Sequence, residues 1–342
     1  MATIREVARA SGVSPMTVSY VLNDPGRVHP ETRQRVLQTM RELEYRPPLS
    51  RAANDTEEDR RTTIGIVYSR WSRLASEVSY YSRILAGVLE AADDQGSHVT
   101  LFSHHTWTED VSKSLRKYCD GRCDGLILIA PKIESELVRT LRERGMPFVI
   151  VGDSGLGPDD LCVDVDNVAA AYQVTDHLLS LGHTNIAYLP GKDNVRPTHE
   201  REQGWRDAHI AHRIVPRKTT AYPGGWTREY GYERASQILK ETNPPSAIFA
   251  MDDELAMGAM IAARELGLRI GQDLSIAGFD DIPEAALCDP PLTTVLQPYT
   301  EIGTRAVGLL LGTMRGGSGD RILLPGKMIV RNSTGPIVAT GP

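Results

Sequence analysis

The first 45 residues read as three short amphipathic helices. Thr3 begins the first helix with a capping box, and Gly12 supplies its stop. Ser14 is a good N-cap for a second helix that ends at Asn23, and a third helix opens at Pro30. Two helices joined by so tight a turn, followed by a third, predict a helix-turn-helix unit. The apolar positions of the second and third helices are Val18, Val21, Leu22, Val36, Leu37, Met40 and Leu43.

From Thr63 onward, short apolar runs rich in β-forming residues alternate with helical patterns. Such uninterrupted strands between helices are typical of parallel, doubly wound sheets. Because roughly 280 residues are many for one sheet, we expect two α/β lobes with a ligand in the cleft between them. The predicted strands are 64–68, 99–102, 126–129, 148–151, 186–189, 247–250 and 274–278. The glycines expected in left-handed caps before strands are Gly96, Gly145, Gly182 and Gly267.

A polar segment separates these two patterns. Pro47 and Pro48 break the third helix, and residues 54–61 are almost wholly charged or polar, which is typical of a linker. We therefore predict a head at 1–46, a hinge at 47–62 and a body at 63–342. The first lobe is assigned to about 63–161 and 293–323, and the second to about 162–292 and 324–342.

Charge is distributed unevenly along the 342 residues. The net charge of −6 taken alone argues against a nucleic-acid partner. However, residues 1–51 hold eight arginines against five acidic residues, whereas the remainder holds thirty basic against thirty-nine acidic residues. Only the head is therefore expected to meet a polyanion. The absence of a long apolar run or a signal pattern, together with only four cysteines, predicts a cytoplasmic protein in a reducing compartment.

Four stretches spanning nearly the whole length carry a family resemblance. They are TIREVARASGVSPMTVSYVLN at 3–23, HPETRQRVLQTMRELEYRP at 29–47, SAIFAMDDELAMGAM at 246–260 and DLSIAGFDDIPEAALCDPPLTTVLQP at 273–298. With these motifs in this order, the chain resembles the lactose-repressor/galactose-repressor (LacI/GalR) family of bacterial transcription regulators. The resemblance implies an all-α helix-turn-helix head on a two-lobed α/β body of the periplasmic-binding-protein-like type I.

The resemblance also implies a function and partners. Members are sequence-specific DNA-binding regulators, most often repressors, whose operator affinity is controlled by a small-molecule effector. We expect a homodimer on a pseudo-palindromic double-stranded operator, and thus association with the nucleoid. A dimer is favoured over a tetramer because no leucine-heptad tail follows residue 331. We expect no cofactor, metal site, catalysis or membrane contact.

For DNA contact, the family's base-reading positions hold Pro15, Met16 and Tyr20, so the arginine or glutamine often found there is missing. Five other residues are suited to phosphate contacts, which set register without reading sequence: Thr17, Ser19, Asn23, Thr32 and Arg33. The complete set is Thr3, Ser14, Pro15, Met16, Thr17, Ser19, Tyr20, Asn23, His29, Thr32, Arg33, Arg51 and Asn54.

The hinge departs from the family pattern. In the family this segment folds on DNA and wedges a leucine into the minor groove. Here Asn54, or Ala53 if one residue is missing, takes that position, and acidic residues follow closely. Because carboxylates near phosphates reduce affinity, we expect DNA bending by leucine insertion to be weakened or absent.

Carboxylates, one arginine and aromatic rings occupy the family's effector positions. Arg201 in REQGWRDA matches the pocket arginine, and Trp226 matches an aromatic that stacks on a sugar or a base. This mixture suits a polyhydroxylated ligand, so we expect a sugar, although purine-like effectors use the same pocket in relatives. The complete set is Tyr80, Tyr81, Asp153, Asp166, Arg201, Trp226, Asp252 and Asp280.

Other readings carry less support. Ser154 in GDSG follows a parallel-type strand, unlike the nucleophile of serine proteases, and Cys119 and Cys123 lack a second pair of zinc ligands. A sugar-binding module of the periplasmic transport type remains the alternative, since it shares the two-lobed fold. A DNA-binding head without a signal peptide argues against that alternative.

Overall fold

In the computed structural model the described residues are 3–23, 27–43, 45, 61–69, 80–104, 115, 118–153, 160–217, 224–317, 319 and 321–337. The chain divides into two units, Met1–Arg61 and Thr62–Pro342, so the second unit begins one residue before the predicted body. None of the described helices is both long enough and apolar enough to cross a membrane.

The helices and strands alternate through most of the second unit. The helices are α1 (Ile4–Ser11), α2 (Pro15–Asn23), α3 (Pro30–Glu42), α4 (Tyr80–Asp94), α5 (Glu136–Glu143), α6 (Asn167–Ser180), α7 (Arg196–Ala211), α8 (Arg228–Ile238), α9 (Asp253–Glu265), α10 (Pro283–Leu287) and α11 (Tyr299–Met314). The strands are β1 (Thr63–Ser69), β2 (His98–His104), β3 (Gly125–Ile129), β4 (Phe148–Val151), β5 (Cys162–Val165), β6 (Ile186–Leu189), β7 (Ala247–Ala250), β8 (Ser275–Ala277), β9 (Thr294–Leu296), β10 (Arg321–Leu324) and β11 (Lys327–Ile329).

The head is a three-helix unit with its own small core. The capping box at Thr3 is present, and Gly12 ends α1 with a φ of 66°. The fully or largely buried apolar side chains come from all three helices, which confirms the predicted helix-turn-helix packing. They are Val7, Ala8, Val18, Val21, Val36 and Met40. Leu43 was expected on the buried face but is 38% exposed, because α3 ends at Glu42 and Leu43 is its C-cap.

The first lobe is built on a six-stranded sheet. Its strand order is β10-β5-β4-β3-β1-β2, and every pair in it is parallel. Helices α4 and α11 pack closely because Gly87 and Gly303 lie where they meet. A Cβ on Gly303 would stand 2.6 Å from the Val88 nitrogen, so a larger residue would force these helices apart.

The second lobe is built on the parallel sheet β6-β7-β8. Helices α6 and α7 pack against each other, as do α8 and α9, and a continuous core joins them to the strands. Strand β9 pairs antiparallel with β11, and parallel bridges from Ala277 to Thr293 and from Asp280 to Leu296 place it beside the end of β8.

Most of the predicted strands are confirmed, and the runs 148–151, 186–189 and 247–250 match β4, β6 and β7 residue for residue. The four predicted glycines, at 96, 145, 182 and 267, all have positive φ. The lobe boundary differs, because β5 pairs with β4 and β10 and therefore belongs to the first lobe rather than to the second. Leu324 also belongs to the first lobe, as the last residue of β10. β5, β9, β10 and β11 are strands that the apolar pattern did not predict.

Candidate functional site

The outward face of α2 presents the predicted base-reading residues to solvent. Met16 is 63% exposed, Pro15 is exposed and Tyr20 is half-exposed. On the opposite side of the same helix, Val18 and Val21 are buried in the head. This division arises because residues 16 and 20 lie one helical turn apart, out of phase with 18 and 21.

Several of the other candidate DNA-contact residues also have a structural role. The Ser14 hydroxyl accepts from the Thr17 amide at 3.1 Å and lies 2.9 Å from the Thr17 hydroxyl, so it caps α2. Thr3 is bound to Glu6 in the capping box. Ser19 is half-buried, and Asn23 ends α2. At α3, His29 and Arg33 are exposed and Thr32 is partly exposed. Arg51 and Asn54, in the part of the hinge that differs from the family pattern, lie outside the described residues.

In the second unit, the Arg201 guanidinium lies among polar groups at the carboxyl ends of the strands. Arg201 is only 4% exposed. Its Nε donates to Asn167 Oδ1 at 2.8 Å, and one terminal nitrogen donates to the Met251 carbonyl at 2.6 Å. The same nitrogen lies 3.6 Å from Asp280 Oδ1, and the guanidinium carbon lies 3.6 Å from the centroid of the Phe279 ring. Arg201 is thereby held in one orientation.

Buried carboxyl groups surround this cation. Burial raises the pKa of Asp164 to about 8, with a further rise from Glu200, and burial raises the pKa of Asp252 to about 7, with a further rise from Asp280. The pKa of Asp280 is also raised by burial, although Arg201 and its hydrogen bond from Gln297 act in the opposite direction. The site therefore has more carboxyl groups than its cations balance, and protonation keeps some of them neutral near pH 7.

Two further contacts join the lobes here. Asp153, which follows β4, is completely buried and accepts from the Arg196 Nε at 2.8 Å. Because Arg196 begins α7, this ion pair links the first lobe to the second. Asn167 donates to Asp164 at 3.1 Å and to Glu200 at 3.0 Å, so it connects the carboxylates to Arg201. We call Asp153, Asp164, Asn167, Arg196, Arg201, Asp252 and Asp280 the interlobe cluster.

Aromatic rings flank the interlobe cluster. Tyr80 stacks edge-on against Tyr81 and Tyr299, with ring centroids 5.4 and 5.9 Å apart. Burial raises the pKa of Tyr80 well above its usual range, and Asp164 and Asp280 add to that rise. Burial likewise raises the pKa of Tyr81 to about 12. Trp226 is 36% exposed and lies beside Gly191, so it is available at the surface rather than in the core.

The structure brings together most of the predicted effector residues and adds others. Asp166 instead caps α6, accepting from the Ala169 amide at 2.9 Å, and Asp252 also caps α9. Asp164, Asn167, Arg196 and Gln297 were not among the residues predicted from the sequence. Gln297 is 2% exposed and donates to Asp280 Oδ1 at 2.6 Å, while its side-chain oxygen has no hydrogen-bond partner among the described residues. Asp164 could have been recognised as a candidate because it is the one charged residue in the apolar run CVDV at 162–165.

The alternatives based on metal or protease chemistry gain no support from this part of the chain. Within the described ranges, no three His, Cys, Asp or Glu residues are grouped so as to hold a metal ion. All four cysteines are free, and Cys119 and Cys123 have thiols whose pKa is raised by burial. Ser154 lies outside the described residues.

Each of the two units contains a segment that matches a known protein family. Residues 3–48 match the family described as bacterial regulatory proteins, lacI family, and residues 175–334 match the periplasmic binding protein-like domain. The HTH-type transcriptional regulator DegA of Bacillus subtilis (strain 168) is 34% identical over 344 residues, which cover 98% of each protein.

Two solved structures are similar over almost the whole chain. One is the complex of the transcriptional regulator CelR with cellobiose, at a TM-score of 0.73 and 29% identity, covering 97% of this chain and 100% of that one. The other is the Lac repressor dimer bound to operator and the anti-inducer ONPF, at a TM-score of 0.73 and 28% identity, covering 98% and 99%. This chain belongs to the LacI family of bacterial transcriptional regulators.

Proposed function

We propose that this protein is a homodimeric repressor of transcription. In this proposal α2 enters the major groove of a pseudo-palindromic operator, and an effector bound at the interlobe cluster controls operator affinity. The observation that carries the DNA-binding part is the outward face of α2, where Met16 is 63% exposed on a helix whose other face is buried. The Lac repressor dimer bound to operator, to which this chain is similar, supports the same arrangement.

We propose a neutral, hydroxyl-rich effector, of which a sugar is the first candidate. The observation that carries this part is the composition of the interlobe cluster, in which carboxyl groups outnumber the arginines. Carboxyl groups and the Gln297 oxygen accept from hydroxyl groups, whereas a phosphorylated or carboxylated ligand would add negative charge to a site whose carboxyl groups already outnumber its cations. Tyr80 and Trp226 supply rings that can cover the C–H faces of a sugar. The CelR–cellobiose complex is a similar structure that holds such a ligand.

Selection from random DNA by the purified protein, at physiological salt, tests the DNA-binding proposal. We expect a pseudo-palindromic motif. Tyr20→Ala should change the preferred sequence, because Tyr20 lies at a base-reading position. Arg33→Ala should weaken binding to all sequences and reduce the salt dependence, because a phosphate contact carries no sequence information. Recovery of no motif by the wild type, with or without ligands, would instead favour a sugar-binding module.

A ligand panel monitored by thermal shift tests the effector proposal. Neutral mono- and disaccharides should raise the melting temperature, whereas their phosphorylated counterparts should not. For a sugar that binds, Asp280→Asn or Arg201→Ala should abolish the effect of that sugar on operator affinity while operator binding itself persists. A full response in both variants would remove the interlobe cluster from the effector site.

A further inference from the structure

The turn at Asp280 and Asp281 holds a strained backbone conformation at the interlobe cluster. Asp280 has a φ of 111° and Asp281 a φ of 47°, both in the region that favours glycine. Non-glycine residues remain in such conformations only where several surrounding groups fix them. The groups that hold this turn therefore also fix the direction of the Asp280 carboxylate.

Part of the support comes from β9 and from Arg331 near the C-terminus. The Asp280 amide donates to the Val295 carbonyl at 2.9 Å, and the Asp281 amide donates to the Thr294 hydroxyl at 3.3 Å. The Asp281 carboxylate also pairs with Arg331 at 2.7 Å. These contacts bind the backbone amides and one side chain of the turn. They leave its carbonyl groups to other partners.

The carbonyl groups are bound from the first lobe. One terminal nitrogen of Arg83, on α4, donates to the Asp281 carbonyl at 3.0 Å and approaches the Asp280 carbonyl at 3.4 Å. The Tyr299 hydroxyl, at the start of α11, donates to the Asp280 carbonyl at 2.8 Å. The Arg83 guanidinium carbon lies 4.2 Å from the centroid of the Tyr299 ring, which orients the arginine.

We propose that Arg83 is a positioning residue that holds the 280–281 turn, and with it the Asp280 carboxylate, from the first lobe. The proposal rests on the proposed function, in which Asp280 meets the effector. Arg83 and Tyr80 lie three residues apart on α4, and thus on neighbouring positions of one helix face. A ligand that displaces the Asp280 carboxylate would therefore act on α4 through the hydrogen bonds of Arg83. Arg83 thereby couples effector contact in the second lobe to the first lobe.

Hydrogen exchange of the ligand-free protein tests this role directly. The amides of Asp280, Asp281 and Ile282 all have acceptors in the structure, so their protection reports on the turn. Arg83→Met removes the donor. Methionine is shorter than arginine, and residue 83 borders a cavity of about 320 Å³. The substitution therefore creates no clash, and the variant should fold.

The matched control is Arg139→Met, the same substitution at an exposed arginine of α5 paired only loosely with Glu136 at 3.8 Å. Arg83→Met should raise exchange of the three turn amides by about tenfold, with the amides of α9 unchanged, whereas the control should alter neither. Arg83→Lys should restore most of the protection, because an ammonium group can donate to both carbonyls. Tyr299→Phe should give a partial loss, since it removes one of the donors to Asp280.

The urea midpoint is measured on the same samples to separate local from global opening. Unchanged protection of the turn in Arg83→Met overturns the proposal, and so does a loss in Arg83→Lys equal to that in Arg83→Met. Exchange that rises equally throughout the second lobe also overturns it, because Arg83 would then act on general stability. These readouts need neither operator nor effector, so their failure is distinct from a failure of the proposed function.

Discussion

Arg201→Met removes a buried cation while keeping an aliphatic side chain against Phe279. The guanidinium makes two charge-assisted hydrogen bonds, to Asn167 and to the Met251 carbonyl, and each such bond contributes about 1.5–3 kcal/mol. Removing one partner of a buried ion pair usually destabilises a protein by about 3–5 kcal/mol, because the other groups lose their partner. We therefore expect a loss of this size in the free energy of unfolding.

The double variant with Asp280→Asn isolates the charge interaction. At 3.6 Å, the attraction between Arg201 and Asp280 is about 5 kcal/mol for an effective dielectric constant of about 20, before desolvation is counted. Asp280→Asn alone should cost little, because asparagine still accepts from Gln297 and removes a charge whose burial is unfavourable. In the double variant, the loss from Arg201→Met should be smaller by about 1–3 kcal/mol.

Urea denaturation at pH 7, followed by the fluorescence of the four tryptophans, measures these free energies, since one of them is the fully buried Trp205 of the second lobe. Arg305→Met is the control, since Arg305 pairs with Glu301 at 3.1 Å on the exposed side of α11, where such pairs contribute about 0.2–1 kcal/mol. If the losses in free energy of unfolding for Arg201→Met and Asp280→Asn simply add in the double variant, the two side chains do not interact as described. A loss for Arg201→Met no larger than that of the control would also contradict the prediction.

Two further predictions concern the shape and the protonation of the site. Gly152→Ala should displace Tyr80 and abolish the effector response, because a Cβ there would lie 2.2 Å from the tyrosine hydroxyl. The control is Gly96→Ala, because Gly96 has a similar positive φ but open space around it. It should cost only about 1 kcal/mol of stability and leave the effector response intact. Equal effects of the two substitutions on the effector response would contradict the prediction. The pKa of Asp252 in the folded protein, about 7, exceeds its unfolded value, so the contribution of this group to stability should fall as pH rises from about 4 to about 7 and then level off. Asp252→Asn can keep the α9 cap and should remove on the order of 3 kcal/mol of that decline between pH 4.5 and pH 8. Urea titrations across this range measure the decline in both proteins. If stability changes equally with pH in the wild type and the variant, the raised pKa of Asp252 is wrong.

The sequence by itself determined the local elements and the class of protein. Helix boundaries in the head follow from caps such as Thr3 and Gly12, whose chemistry acts within one turn, and α2 runs from Pro15 to Asn23 as predicted. Buried parallel strands are continuous apolar runs, so β4, β6 and β7 could be located without tertiary information. The four motif stretches identified the family, which the comparisons confirm.

Only the tertiary structure decided which polar residues share a site. Asp164 lies on β5, which pairs on one side with β10, a strand more than 150 residues later in the chain, and no local pattern predicts that pairing. Arg83 and Asp281 are nearly two hundred residues apart in sequence, yet a hydrogen bond of 3.0 Å joins them. Periodicity reports the environment of one helix or strand, whereas the contacts of a buried charge depend on which elements surround it. The place of Asp164, Asn167 and Arg196 in the interlobe cluster, and the raised pKa values that follow from burial there, could therefore be read only from the folded chain.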